Sequence, residues 1–138
     1  MDGLARIEGG MKVLYEEITD KVIKAFYEVY NKLGYGFLEK VYENALMIEL
    51  KKQGLQALQQ EAINVYYDKE NVGEYFADVV VNGVIIIELK SVETIREEHL
   101  KQLQNYLKAT KIEVGLLLNF GKKPEFKRII FTNDRKNP

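Results

Sequence analysis

The triplet Glu88-Leu89-Lys90 closes the apolar run Val84-Ile85-Ile86-Ile87, and Asp78 stands in the apolar segment just before it. Charged groups are costly in the interior of a sheet, and a buried carboxylate is tolerated when it is paired or binds a metal. Two carboxylates that converge repel each other, and a divalent cation is the usual reason for keeping them together. A lysine beside them adds positive charge where an anionic transition state would form. That set suits hydrolysis of a phosphodiester by in-line attack of metal-activated water. The same residues also suit a plain buried ion pair between Lys90 and one carboxylate.

Only side chains on one face of a sheet can share a metal, so the hairpin between these segments decides the matter. A two-residue loop at Asn82-Gly83 would set Asp78 opposite Ile87 and turn Glu88 to the other face. A three-residue loop, Val81-Asn82-Gly83 with a left-handed Gly83, pairs Val80 with Val84 and Asp78 with Ile86. Asp78, Glu88 and Lys90 then share a face, and this register is the expectation.

The elements that must position them are legible from periodicity. Val22, Ala25, Phe26, Val29 and Leu33 form a helical stripe over Asp20 to Leu33, with Thr19 as N-cap and Gly34 as stop. A second helix is expected from Phe37 to Gln53, carried by Leu38, Val41, Ala45 and Ile48. Ile63, Val65 and Tyr67 alternate as a strand, Asp68 to Asn71 reads as a turn, and Glu74–Val80 and Val84–Leu89 form a hairpin apolar on both faces. A third helix is expected over Arg96 to Thr110, then strands Val114–Asn119 and Phe126–Phe131 around the Gly121–Pro124 turn. This order implies an α/β or α+β sandwich with a mixed sheet.

The chain has 138 residues, 46% of them apolar and 30% charged, which is the composition of one globular domain. Residues 1–10, ending in Gly9-Gly10 before Met11, read as a leader, and residues 11–138 as a single domain. The absence of cysteine and the single histidine, His99, exclude thiolate and multi-histidine metal sites. A metal must then be held by oxygen, which favours Mg²⁺ or Mn²⁺. No apolar stretch is long enough to cross a bilayer and no signal-peptide pattern opens the sequence, so a cytoplasmic location is expected. The net charge of -1 means that any grip on a polyanion must be local.

Further polar residues fall at helical spacing. Glu39 and Tyr42 share a face of the second helix, although Tyr42 also suits the core beside Leu38, Ala45 and Leu46. On the third helix His99, Gln102 and Tyr106 form a stripe that equally suits a solvated surface. The run Gly36-Phe37-Leu38-Glu39-Lys40-Val41-Tyr42 resembles the signature of the GxxExxY family, whose members are placed in the PD-(D/E)XK nuclease superfamily. The resemblance extends from Thr19 to Phe131, and the Gln102 to Tyr106 pattern is similar to the QxxxY helix motif of RecB-like nucleases. Tyr35 departs from it where relatives commonly carry proline, and Leu100 where they often carry an acid.

The resemblance implies a restriction-endonuclease-like PD-(D/E)XK fold, a central mixed sheet flanked by helices. It further implies a metal held by Asp78, Glu88 and the Leu89 carbonyl, with Glu39 as an additional ligand. Lys90 would orient or deprotonate the attacking water, Gln102 and Tyr106 would position substrate or support the metal, and Tyr42 and His99 would face the substrate. Lys122, Lys123, Lys127 and Arg128 are candidates for nucleic-acid contact, and they equally suit a solvated turn and tail. A homo-oligomer would line up several such patches. The expected activity is a metal-dependent nuclease, with DNA ahead of RNA. The competing readings are a catalytically silent nuclease-fold binding or assembly protein and a phosphodiesterase of small nucleotides.

Overall fold

A computed structural model describes residues 14–136, so the expected leader over residues 1–10 lies outside the described residues. Its elements are α1 (Glu16–Leu33), α2 (Glu39–Lys52), β1 (Ala57–Tyr67), β2 (Glu70–Val81), β3 (Ile85–Lys90), α3 (Glu97–Lys108), β4 (Val114–Phe120) and β5 (Pro124–Ile130), followed by a 3₁₀ turn at Asn133–Arg135. The strands form one five-stranded sheet whose order follows the chain. Only β3 and β4 are parallel, and α3 supplies the crossover that a parallel pair needs.

The alternation of apolar residues places a helical layer on each face. Val79, Val81, Ile85, Ile87, Leu89, Val114, Leu116 and Leu118 pack beneath α1 and α2 with Phe26, Tyr42 and Leu46. Ala77, Ile86 and Leu117 meet Leu103, Tyr106 and Leu107 of α3 on the other face. All seven residues of β4 are buried, as an apolar run covered on both sides requires. Among the described residues no helix is long and apolar enough to cross a membrane.

Several boundaries differ from the sequence expectation. Helix α1 starts earlier, after Tyr15 at φ 55°, and Thr19 is a first-turn residue whose hydroxyl donates to the Glu16 carbonyl at 3.1 Å. Gly34, at φ 69°, ends α1 as expected. Strand β1 begins at Ala57, well before Ile63, because its first half carries Gln59, Gln60 and Glu61, which lack a strand's apolar alternation. Asp68 and Lys69, both left-handed, make a tighter turn than the four residues expected.

The decisive hairpin has a three-residue loop, but its frame is Asn82-Gly83-Val84, and Val81 pairs with Ile85. Asn82 (φ 51°) and Gly83 (φ 69°) are both left-handed, and the Val84 N–H closes the turn on the Val81 carbonyl at 2.9 Å. Asn82 is fixed in the loop because its N–H donates to the Gln56 carbonyl at 2.7 Å and its Oδ1 accepts from the Gln56 N–H at 2.8 Å. Relative to the expected pairing of Asp78 with Ile86, the strands slip by two residues, which preserves the faces. Continuing the Val79–Ile87 pairing by one step sets Asp78 directly across from Glu88.

The connection leaving β3 is tied to the end of β4. Asn119, 1% exposed, accepts from the Val92 N–H at 2.9 Å and donates to the Val92 carbonyl at 2.8 Å. Gly121 leaves room for this contact, since a Cβ there would stand 2.2 Å from the Val92 oxygen. Gly121→Ala should therefore destabilise the fold by about 1–3 kcal/mol through overpacking against backbone. A denaturant titration of the purified variant checks this, and an unchanged midpoint would contradict it.

Candidate active site

Strands β2 and β3 separate just beyond the Val79–Ile87 pair, and there side chains take over the ladder. The Asp78 N–H donates to Glu88 Oε2 at 2.8 Å, and the Leu89 N–H donates to Asp78 Oδ2 at 2.9 Å. Each carboxylate thus satisfies a backbone donor of the opposite strand and is fixed in place by it. Glu88 is 6% exposed and Asp78 is half-buried. Burial and then the neighbouring Asp78 push Glu88 up to about 8, against which the Asp78 N–H and Lys90 pull. Burial also raises Asp78, opposed first by the Leu89 N–H.

Lys90 continues the alternation from Glu88 and lowers both carboxyls by its charge, yet among the described residues it forms no ion pair. The pairing of Lys90 with a carboxylate, open from the sequence, is therefore not what holds these residues. Glu39, at the start of α2, accepts from the Ser91 N–H at 3.3 Å, which brings a third carboxylate to the end of β3. Tyr106, 6% exposed, sits across the α3 face; its hydroxyl is raised by burial and next by Glu88. Gln102, one turn earlier, donates to that hydroxyl at 2.9 Å.

Two residues missed in the sequence reading join this group. Glu43 on α2, 4% exposed, accepts from Lys40 Nζ at 3.1 Å and Gln59 Nε2 at 2.7 Å. Gln60 of β1 reaches both Glu43 and Asp78 with its side-chain amide. Glu43 follows Glu39 at helical spacing, a signal that was available; the approach of Gln60 depends on a β1–β2 pairing that no local pattern announces.

Other candidates stand elsewhere. Tyr42, expected to face substrate, is fully buried and stacks on Phe120 with ring centroids 4.4 Å apart. Its hydroxyl donates to the Gly34 carbonyl at 2.7 Å and accepts from the Phe37 N–H at 3.2 Å, so it anchors the glycine turn between α1 and α2. His99 accepts from the Arg96 N–H at 3.0 Å through Nδ1, which caps α3. Arg128 faces α1, where it donates to Thr19 Oγ1 at 3.0 Å and to the Leu14 carbonyl, away from the carboxylates. Lys127 points to the opposite face of β5, in line with Leu117 and Glu88 across the sheet. Lys122 and Lys123 are exposed in the turn after β4, at the same end of the sheet as Lys90.

Among the described residues no group of three acidic or histidine side chains is gathered closely enough to hold a metal unaided. The donor set still fits a hard cation. Mg²⁺ is commonly held by one or two carboxylates and completes its shell with water and substrate phosphate. Asp78 and Glu88 each commit one oxygen to a backbone N–H; burial and then Asp78 raise the proton affinity of Glu88, and burial and then Glu43 raise that of Asp78, a situation that a bound cation would relieve.

Comparison with known proteins places the chain. The crystal structure of SSO0001 matches with a TM-score of 0.53 at 20% identity, over 86% of this chain. That likeness concerns the fold, and this chain covers 60% of the SSO0001 chain. No curated protein matches the sequence. A family model described as the PD-(D/E)XK nuclease superfamily matches residues 16–129, a span that takes in Glu39, both strand carboxylates, Lys90 and α3. With that match over most of its length and a mixed five-stranded sheet flanked by helices, the chain belongs to the PD-(D/E)XK nuclease superfamily.

Proposed function

We propose that this protein is a nuclease that hydrolyses phosphodiester bonds of DNA with the help of Mg²⁺ or Mn²⁺. The observation that carries this reading is the pair Asp78 and Glu88, each bonded to the other's strand, with Glu88 buried, Asp78 half-buried and neither in an ion pair among the described residues. In this reading Asp78, Glu88 and the Leu89 carbonyl hold the cation, with Glu39 as a further ligand from α2. When bound, such a cation lowers the pKa of water and offsets negative charge on the phosphoryl group. Lys90 orients the attacking water and adds positive charge beside the reacting phosphate. Gln102 holds the Tyr106 hydroxyl toward the carboxylates, and Lys122, Lys123 and Lys127 meet the nucleic-acid backbone. The Gly36 to Tyr42 run and the Gln102 to Tyr106 pattern support a finer placement, among GxxExxY proteins with a RecB-like QxxxY helix.

The test is cleavage of labelled single- and double-stranded DNA and RNA with Mg²⁺, Mn²⁺ or EDTA. Wild-type protein should cleave only with metal, and Lys90→Ala should lose roughly 100-fold or more in rate, as expected for removal of a transition-state charge. Asp78→Ala and Glu88→Ala should be inactive. Equal cleavage by all three variants would refute the assignment.

Removal of metal should also change the pH dependence of stability. Glu88 is raised from its ordinary 4.5 to about 8, so between those values the native protein holds a proton that the unfolded chain has released. Native stability then falls as pH rises through that window, and the raised Asp78 adds in the same direction. In EDTA the melting midpoint should be higher at about pH 5 than at about pH 8. Glu88→Gln should reduce this difference, whereas a variant with the full wild-type slope would show that Glu88 is not its source.

A further inference from the structure

Gln60 lies in β1 between the Gln59–Val79 and Glu61–Ala77 pairs, a position that faces Asp78, and has φ 54°. A side chain in the left-handed region is strained and persists only where its surroundings impose it. Around this position the strands change sides. Val79 and Val81 of β2 pack beneath α1 and α2, whereas Ala77 packs beneath α3. Strict alternation would keep Ala77 and Val79 on one face. In β1, Ala57 packs against the α1–α2 layer, whereas Ile63 belongs to the α3 layer. The pairing skips this rung and resumes in the same register, with Gln59 opposite Val79 and Glu61 opposite Ala77. The ribbon is therefore inverted at one rung, the rung of Gln60 and Asp78.

The amide of Gln60 occupies that inversion. Its Nε2 lies 3.2 and 3.3 Å from the two oxygens of buried Glu43, and 3.4 Å from Asp78 Oδ1. Asp78 Oδ2 is already taken by the Leu89 N–H. The Gln60 amide thus stands between two carboxylates as a shared donor, and it contacts the Asp78 oxygen not used by β3.

We infer that Gln60 is a positioning residue: its left-handed backbone and shared amide fix the Asp78 carboxylate in the orientation that presents it to a divalent cation. The inference rests on reading Asp78 as a metal ligand. Neighbours that orient a ligand typically contribute 10–100-fold to metal affinity.

The experiment compares wild-type protein with Gln60→Met and Gln60→Gly. Methionine keeps the Cβ and the side-chain length but cannot donate; glycine also removes the backbone strain. Mn²⁺ titration by calorimetry, amide hydrogen exchange at Leu89 in metal-free protein, and thermal melting are measured on each. Both variants should bind Mn²⁺ about 10-fold or more weakly and exchange the Leu89 amide faster, while Gln60→Gly melts at or above the wild-type temperature. Wild-type affinity together with wild-type Leu89 protection in both variants would overturn the inference. So would recovery of both by Gln60→Gly alone, which would assign the effect to backbone strain. Wild-type protein that binds no Mn²⁺ would refute the metal reading, and the exchange of Leu89 would then decide the role of Gln60 by itself.

Discussion

Beyond Val79 and Ile87 the ladder between β2 and β3 is continued by carboxylates in place of peptide carbonyls, and the arrangement of the surrounding elements follows from this exchange. A backbone N–H withdrawn from water must find an acceptor, and a carboxylate is a stronger acceptor than a peptide oxygen. Asp78 and Glu88 meet that need on each other's strands. The result holds two groups of like charge together in a place where water can do little to screen them. The hairpin enforces the encounter from one side, through the left-handed Asn82 and Gly83 that set the register. The α3 helix encloses it from the other, with Tyr106 over the α3 face of the pair.

The hydrophobic pattern made the framework legible. Runs such as Ile85-Ile86-Ile87 and Leu116-Leu117-Leu118 could lie only in a sheet covered on both faces, and the stripe of Val22, Phe26 and Val29 could lie only on a core-facing helix. The odd length of the hairpin loop was also legible, because it was favoured by the need to bring Asp78 and Glu88 together, but the change of sides that β2 makes at Asp78 was not. The frame of that loop was not, since it is fixed by Asn82 bonding to Gln56, a residue distant in sequence. Tyr42 and Arg128 show the same limit. A tyrosine in the first turn of α2 and an arginine in a basic run offer no local sign that one will stack on Phe120 and the other bond to Thr19. Gln60 was invisible for a related reason, because its place beside Asp78 arises from an inversion of the ribbon.

The basic residues sort by the same geometry. Adjacent positions of β5 face opposite ways, so Arg128 joins the α1 layer while Lys127 lies on the row that runs through Leu117 to Glu88. At about 4.8 Å per strand, that row sets the backbone positions of Lys127 and Glu88 about 10 Å apart. Lys122 and Lys123 leave the sheet at the end where Lys90 does, because β3 and β4 run parallel and finish side by side. Only part of the positive charge in the C-terminal segment can therefore act near the carboxylates. Lys136 is withdrawn as well, its Nζ bonded to the carbonyls of Thr110 and Ile112.

Burial along β3 shows why the spacing of the triplet matters. From Ile85 to Leu89 the strand is buried throughout, and Lys90 is the first residue to become partly accessible. Glu88 lies two residues inside that boundary, on the same face. One carboxylate is thereby held where dielectric screening is weak, while the lysine beside it is partly accessible and makes no ion pair among the described residues. Lys90, Ser91 and Glu39 stand together at the end of β3, where the strand first becomes accessible. A shift of the triplet by two residues inward would bury the lysine at a large desolvation cost, and a shift outward would hydrate Glu88 and carry it away from Asp78. The Glu-x-Lys spacing thus spans the edge of the core, with a buried carboxylate on one side of it and a partly accessible ammonium on the other.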